Sequence, residues 1–169
     1  PRPVTAGERQ STITKLYILE SQGKSSGFFY GMNRMADANL LFDYTGHLPE
    51  CPTWSEDEQA LYWADIMECE IHRYVLATGE HRVLQFPEEV GCFALRENGG
   101  FIVALRSAIW LADSRGLLQH KVCDNPSNPQ LARFNDGGTD RDGRFYAGTF
   151  WGPGDYNGAL LVRIDNQLR

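Results

Sequence analysis

The 169 residues hold 16 Lys+Arg against 22 Asp+Glu, a formal net charge of −6. No basic cluster stands anywhere among them, which argues against a nucleic-acid surface, because phosphate binding needs Lys and Arg gathered on one face; small polar ligands or metal ions suit the composition better. No apolar run approaches the roughly 20 residues of a membrane span, and no charged stretch followed by an apolar core opens the sequence, so no membrane partner and no leader are expected and the default location is cytoplasmic.

Residues 1–38 form an N-terminal segment to which no role is assigned. Within it Thr12-Ile13-Thr14-Lys15-Leu16-Tyr17-Ile18-Leu19 has the β-branched and apolar content of a strand, Ser21-Gln22-Gly23-Lys24-Ser25-Ser26-Gly27 has linker composition, and Phe28-Phe29-Tyr30 reads as local packing. The second region, 39–169, begins with a short strand at Asn39-Leu40-Leu41-Phe42-Asp43 and a turn at Thr45-Gly46. In His47-Leu48-Pro49-Glu50-Cys51-Pro52-Thr53-Trp54 a carboxylate sits among proline, cysteine and tryptophan, a composition that predicts the tight, partly buried start of a strand. A carboxylate buried there needs a metal, an Arg or several hydrogen-bond donors, because an unpaired buried charge is costly. The plain alternative for Glu50 is a solvent-exposed loop glutamate.

Strand-like alternation follows. Residues 61–66, 70–75 and 81–86 make strands, with a turn at Ala77-Thr78-Gly79-Glu80, and complete one four-stranded unit. A second unit runs through 91–95, 101–106, 108–113 and 117–123 and shows no conspicuous polar set. Asp124-Asn125-Pro126-Ser127-Asn128-Pro129 is a loop, long enough to cross one mouth of a ring-shaped fold, that leads to Arg133-Phe134-Asn135-Asp136. Asp142-Gly143 is a turn dipeptide between two strand-forming runs, and Asn135, Asp136 and Asp140 stand just before it, where a strand could present them to a ligand. A Gly-rich hairpin loop at 151–158 leads to a last strand at 159–165.

Leu61, Phe101 and Phe145 stand 40 and 44 residues apart, each preceded by a turn and followed three residues later by Ala64, Ala104 or Gly148. A repeat of this length holding several short strands points to an all-β β-propeller, with small residues letting strands crowd towards a channel. A sandwich is the other all-β arrangement this pattern allows. With about 45 residues per blade the second region supplies only about three blades, whereas closed propellers have four to eight, so the chain is expected to be incomplete and to offer uncovered blade edges for self-association. Cys51, Cys69, Cys92 and Cys123 are spaced by 18, 23 and 31 residues without a zinc pattern and read as buried thiols rather than two disulfides. The four histidines, equally scattered, read as surface or strand residues.

The motifs Glu50-Cys51-Pro52-Thr53-Trp54, Ala60-Leu61-Tyr62-Trp63-Ala64-Asp65-Ile66, Ile71-His72-Arg73-Tyr74, Phe93-Ala94-Leu95-Arg96, Arg133-Phe134-Asn135-Asp136-Gly137 with Asp140, Gly143-Arg144-Phe145 and Ala147-Gly148-Thr149 follow one another in an order that resembles the senescence-marker-protein/gluconolactonase (regucalcin, luciferin-regenerating-enzyme-like) family over about residues 39–165. The resemblance implies a six-bladed propeller that hydrolyses sugar-acid lactones with one divalent metal ion, Ca²⁺ or Zn²⁺ with Mn²⁺ and Mg²⁺ as further options. It implies that Glu50 is a metal ligand and that Arg133 and Asn135 contact a sugar lactone. Pro49, Gly138 and Phe150 stand where the family commonly has Gly, Lys and Met. The family's remaining ligands, an Asn and an Asp that also acts as general base, come from later blades and match nothing in this chain, so no catalytic residue is assigned. The competing expectations are a non-catalytic metal- or sugar-binding propeller fragment and a purely structural segment.

Overall fold

The computed structural model describes residues 17–19, 38–154, 158–165 and 167–168. The chain divides into two units, Pro1–Gly46 and His47–Arg169. In the first, strands β1 (Tyr17–Leu19) and β2 (Ala38–Leu40) pair antiparallel with Tyr17 opposite Leu40, and the rings of Phe42 and Tyr44 stack 5.8 Å apart. The strand expected over 39–43 is thus found at Ala38–Leu40, and of the one expected over 12–19 only the last three residues are described. The linker-like stretch 21–27, the aromatic cluster 28–30 and positions 155–157 of the Gly-rich loop lie outside the described residues.

Among its described residues the second unit holds three sheets. Strands β3 (Pro49–Ser55), β4 (Ala60–Asp65), β5 (Glu70–Val75) and β6 (His81–Gln85) form the first in sequence order. Strands β7 (Val90–Leu95), β8 (Phe101–Leu105), β9 (Ala108–Ala112) and β10 (Leu118–Asp124) form the second. Strands β11 (Ala132–Thr139), β12 (Phe145–Trp151) and β13 (Leu161–Ile164) form the third. Every pairing is antiparallel between consecutive strands, and no strand is exchanged between sheets, which is the order of propeller blades and not that of a Greek-key sandwich. Leu61, Phe101 and Phe145, the anchors of the repeat, all lie in the second strand of their sheet. Among the described residues there is no helix, and so none long and apolar enough to cross a membrane.

The middle blade explains why its sequence lacks a clean apolar-polar alternation. Every residue of Phe101-Ile102-Val103-Ala104-Leu105 is buried, because β8 is covered on both faces, and a strand covered on both faces reads as a continuous apolar run. One face packs Phe93, Phe101, Val103 and Leu105 against Tyr62, Ala64 and Ile71 of the first blade, with the Phe93 and Phe101 rings edge-on at 5.9 Å. The other face packs Cys92, Ala94, Ile102, Ala104 and Ile109 against Phe134, Phe145, Ala147 and Ile164 of the third. Each fully buried aliphatic or aromatic side chain contributes about 1.5–3 kcal/mol, so these two seams carry most of the cohesion between blades. The fourth strands are correspondingly wet: β6 and β10 expose most of their residues.

Between the second and third blades the backbones nearly touch. A Cβ placed on Gly91 would lie 2.2 Å from both the carbonyl carbon and the carbonyl oxygen of Phe134, a clash with main chain that no side-chain rotation relieves. In the hairpin that joins β11 to β12, the expected Asp142-Gly143 turn is present, with Gly143 at φ +78°. All four cysteines are free; Cys92 is buried and the other three are half-buried, so burial of the thiols is met in full only at Cys92.

His72 is a strand residue, as expected, and lies buried in the core. It lies opposite Trp63 across β4 and β5, stacks on that indole with centroids 4.8 Å apart, and sets Nδ1 3.0 Å from His81 Nε2 and Nε2 3.1 Å from Glu70 Oε2. Burial, and then the neighbouring His81, pushes its pKa down to about 4.

Two predictions follow from these contacts. Gly91→Ala should lower the free energy of unfolding by about 2–3 kcal/mol in chemical denaturation, since the inner strands must separate to admit a methyl group. Gly138→Ala, whose Cβ meets nothing within 4 Å, should change it little, and equal effects would contradict the close approach. For His72, the unfolded imidazole takes up a proton near pH 6.5, which the folded one refuses until about pH 4. Stability is therefore complete above pH 6.5 and falls as the pH drops towards 4, by about 2.5 kcal/mol between pH 7.5 and 4.5. Burial lowers the His81 imidazole and acts in the same sense, and raises the Glu70 carboxyl and acts in the opposite one, so the informative measurement is the difference between wild type and His72→Gln, in which the share of the loss owed to His72 should disappear.

Candidate functional site

The first strands of the three blades, β3, β7 and β11, lie against one another. Each carries a register shift: between Glu50 and Thr53 in β3, between Val90 and Cys92 in β7, and between Phe134 and Gly137 in β11. Such bulges bend a strand and re-aim the side chains beside them. In β3 the shift is accompanied by a left-handed backbone at Cys51, φ +55°, a conformation that costs a residue with a Cβ and persists only where its surroundings impose it. Two of the three residues singled out from sequence, Glu50 and Asn135, therefore stand at or inside a bulge, and Arg133 stands two residues before one.

Arg133 and Asn135 are brought together. Arg133 Nη1 donates to Asn135 Oδ1 at 2.8 Å and to the Phe134 carbonyl at 2.9 Å, which turns the guanidinium along its own strand. Its Cζ also lies 5.4 Å from the centre of the Phe150 ring, the residue directly opposite in β12. Burial pulls the Arg133 pKa down; the carboxylates of Glu89 and Glu50 act against that and the Arg106 cation with it. Glu50, Glu89 and Arg106, from the first two blades, thus all lie within electrostatic reach of Arg133 in the third.

Glu50 is exposed rather than partly buried, since the alternation along β3 places it on the open face of the strand. Its carboxylate is not hydrogen-bonded to any described residue. The main chain just before it is firmly held: the fully buried Asp65 accepts the amides of His47 at 2.7 Å and Leu48 at 2.9 Å, and Ile66 N donates to the Leu48 carbonyl at 3.1 Å. Asp65 is thereby a support that the sequence reading used only as a motif letter.

The sequence reading also passed over the polar set of the second blade. Arg106 forms a forked pair with Glu89, Nε to Oε2 at 2.6 Å and Nη2 to Oε1 at 2.5 Å, which raises the pKa of the guanidinium and lowers that of the carboxyl. Its Nη1 donates to the carbonyls of Pro129 at 3.0 Å and Ala132 at 3.4 Å, locking the chain that delivers Arg133. Glu88 accepts from the amide and hydroxyl of Ser107, both at 2.8 Å. The available signal was local: Pro87-Glu88-Glu89 precedes β7 much as Pro49-Glu50 opens β3.

The acidic residues of the third unit divide. Asp140 is spent on the hairpin, where Oδ1 accepts the amides of Asp142 and Arg144 and Oδ2 meets the Tyr146 hydroxyl at 3.1 Å and Arg144 Nε at 2.8 Å. Asp136 is exposed and caps its own neighbour, the Gly137 amide, at 2.8 Å. It borders an open groove of about 550 Å³ with Cys51, Thr53, Trp54 and Phe93. Among the described residues no three His, Cys, Asp or Glu side chains gather as a metal site. The described residues therefore do not make a closed coordination shell.

Comparison with known proteins agrees with this architecture. Residues 48–169 match the SMP-30/Gluconolactonase/LRE-like region. The chain is 53% identical over 122 residues to the 6-deoxy-6-sulfogluconolactonase of Pseudomonas putida, a match that covers 72% of this chain and 42% of that protein. It is 33% identical over 109 residues to the regucalcin of Xenopus laevis, covering 62% of this chain and 35% of the other. The structure of a calcium-binding regucalcin from Agrobacterium tumefaciens strain C58 superposes with a TM-score of 0.67 at 23% identity, covering 73% of this chain and 42% of that one. The chain spans about two-fifths of the length of the curated relatives it matches. With three consecutive blades of the propeller, its motifs in order and a match across residues 48–169, this chain belongs to the SMP-30/Gluconolactonase/LRE-like family.

Proposed function

We propose that this chain carries the sugar-binding part of a lactone-hydrolysing site, in which Arg133 and Asn135 hold a sugar-acid lactone and Glu50 supplies one ligand to a divalent metal ion. The observation that carries the reading is the locked Arg133–Asn135 pair. Because Arg133 Nη1 and Asn135 Oδ1 are used on each other, the pair keeps Arg133 Nε and Nη2 and Asn135 Nδ2 for a ligand, all of them hydrogen-bond donors. A set of donors alone suits an oxygen-rich, acceptor-bearing ligand such as a polyhydroxy lactone, and a guanidinium fixed in advance loses little freedom on binding it. The relative named for a sulfonated gluconolactone favours aldonic lactones, including one with an anionic substituent.

Glu50, exposed and free of hydrogen bonds to described residues, fits an oxygen-preferring ion such as Ca²⁺, Mg²⁺ or Mn²⁺, and Zn²⁺ also accepts carboxylate. When bound, such an ion supplies polarisation of the lactone carbonyl and activation of water. The chain's own share is positional: Asp65 holds the start of β3 under Glu50, and Arg106 with Glu89 holds the start of β11 under Arg133. A second reading, a metal or sugar binder without turnover, is favoured by the lack of three gathered ligands among the described residues. Self-association through the third sheet belongs to the same proposal, since its outermost strand leaves Leu161 75% exposed.

Hydrolysis of D-glucono-1,5-lactone and of its 6-deoxy-6-sulfo derivative, assayed with Ca²⁺, Zn²⁺, Mn²⁺ or Mg²⁺, tests the reading, with direct binding of the lactone measured in parallel. Arg133→Ala and Asn135→Ala should weaken lactone binding or turnover by about ten- to a hundredfold, the scale of a lost hydrogen bond to a charged group. Glu50→Gln keeps the shape of the side chain and removes its charge, and should lower metal affinity at least about tenfold in titration calorimetry. Lactone binding without metal-dependent hydrolysis would favour the non-catalytic binder, and unchanged values in all three variants would refute both readings.

A further inference from the structure

Phe150 stands in β12 directly opposite Arg133, its ring 5.4 Å from the guanidinium carbon, and it remains 53% exposed. An exposed phenylalanine is commonplace, but this one is fixed on both sides. The preceding Thr149 makes two hydrogen bonds with Leu160: its amide donates to the Leu160 carbonyl at 2.9 Å, and its hydroxyl accepts the Leu160 amide at 2.8 Å. That hydroxyl also lies 3.4 Å from Ser127 Oγ, itself bonded to the Gly158 carbonyl at 2.8 Å. Two residues after Phe150, the Gly152 amide donates to the Leu131 carbonyl at 2.8 Å. The ring is thus carried by a backbone tied to two loops, beside a guanidinium that Asn135 and the Phe134 carbonyl hold from the other side.

We propose that Phe150 is a positioning and specificity-determining residue of the lactone subsite: its ring holds the Arg133 guanidinium in line with Asn135 and offers an apolar wall to the C–H groups of a sugar ring. The proposal rests on the substrate reading of Arg133 given above. The physical argument has two parts. A cation near an aromatic face is attracted by the ring quadrupole, which restricts where the guanidinium lies without consuming any of its N–H donors. A hydrogen-bonding neighbour would restrict it too, but would remove a donor that the ligand needs. The exposed part of the ring then borders the donor set, so a ligand that presents oxygens to Arg133 and Asn135 must also lay part of its carbon skeleton against Phe150. Methionine in that position, common in the family, would supply a flexible apolar wall without the quadrupole.

The experiment uses the 169-residue chain and two readouts. In ¹⁵N-labelled protein the Arg133 Nε–H resonance, assigned by its loss in Arg133→Ala, should carry a ring-current shift that disappears in Phe150→Leu and persists in Phe150→Tyr. In titrations with D-galactono-1,4-lactone, Phe150→Leu should weaken binding about two- to fivefold, the scale of an exposed cation–π contact, and Phe150→Tyr should restore it. Where turnover is measured, the loss should fall on KM with kcat nearly unchanged. An Arg133 resonance and a lactone affinity both unchanged in Phe150→Leu would overturn the proposal, as would equal losses in the leucine and tyrosine variants. A chain in which Arg133→Ala also leaves lactone binding unchanged would instead count against the substrate reading, and the resonance would still decide whether Phe150 positions Arg133.

Discussion

The contact on which the rest of this structure depends is the meeting of Gly91 with the backbone of Phe134. Two innermost strands from different blades come close enough there that a single methyl group would collide with a peptide unit. That approach lets Phe134 bury itself completely against Cys92, Ala94 and Ile109 while Arg133 and Asn135, its neighbours on either side, remain on the opposite face of the strand. Apolar residues thus drive the seam, and the polar residues beside them are carried into place by the same strand. A one-residue slip of register would exchange the two sets, so the burial of Phe134 also fixes which side chains the site receives.

Around that seam the charges divide into those used for construction and those left over. Arg106 and Glu89 neutralise each other in a forked pair, and Arg106 spends Nη1 on the carbonyls ahead of Arg133; Asp65 spends both oxygens on the amides ahead of Glu50; Asp140 is consumed by its own hairpin. Among the described residues, Glu50 and the unused donors of Arg133 and Asn135 take no part in that construction. Unlike charges at this range attract, and the partial burial of Arg133 makes the Glu50 and Glu89 fields more effective than they would be in open water.

The parts of this arrangement that were legible in the sequence are those set by local chemistry. The spacing of Leu61, Phe101 and Phe145 recorded one second strand per blade, and Asp142-Gly143 recorded a hairpin, because repeat period and turn preference are properties of short segments. Glu50, Arg133 and Asn135 were picked out because their surrounding words resemble a family, whereas composition alone would have left Glu50 an open question. The three bulges were not legible, since a register shift is a property of two strands and neither sequence declares it. Burial of His72 was missed for the same reason: its partner Trp63 lies across the sheet, and an isolated histidine in a strand carries no mark of what stacks on it. Exposure of Glu50 was left open because its neighbours Cys51 and Thr53 do turn inward, and a composition window averages over the alternation that separates them from it.

The family motif Arg133-x-Asn135 is better understood as a strand device than as two independent ligand contacts. Residues two apart on a strand share a face, and the bulge that follows releases Asn135 from strict pairing while Arg133 keeps its cross-strand neighbour Phe150. One member is therefore held by the sheet and the other is adjustable. The hydrogen bond between them transmits the order of the first to the second, at the expense of one guanidinium nitrogen and one amide oxygen. What survives on the pair is Arg133 Nε and Nη2 with Asn135 Nδ2, all donors, and on the proposed reading that asymmetry, more than the presence of an arginine, favours ligands made of acceptors. On the same reading the identity of the residue opposite Arg133 matters, because an aromatic ring there steadies the guanidinium without consuming another donor.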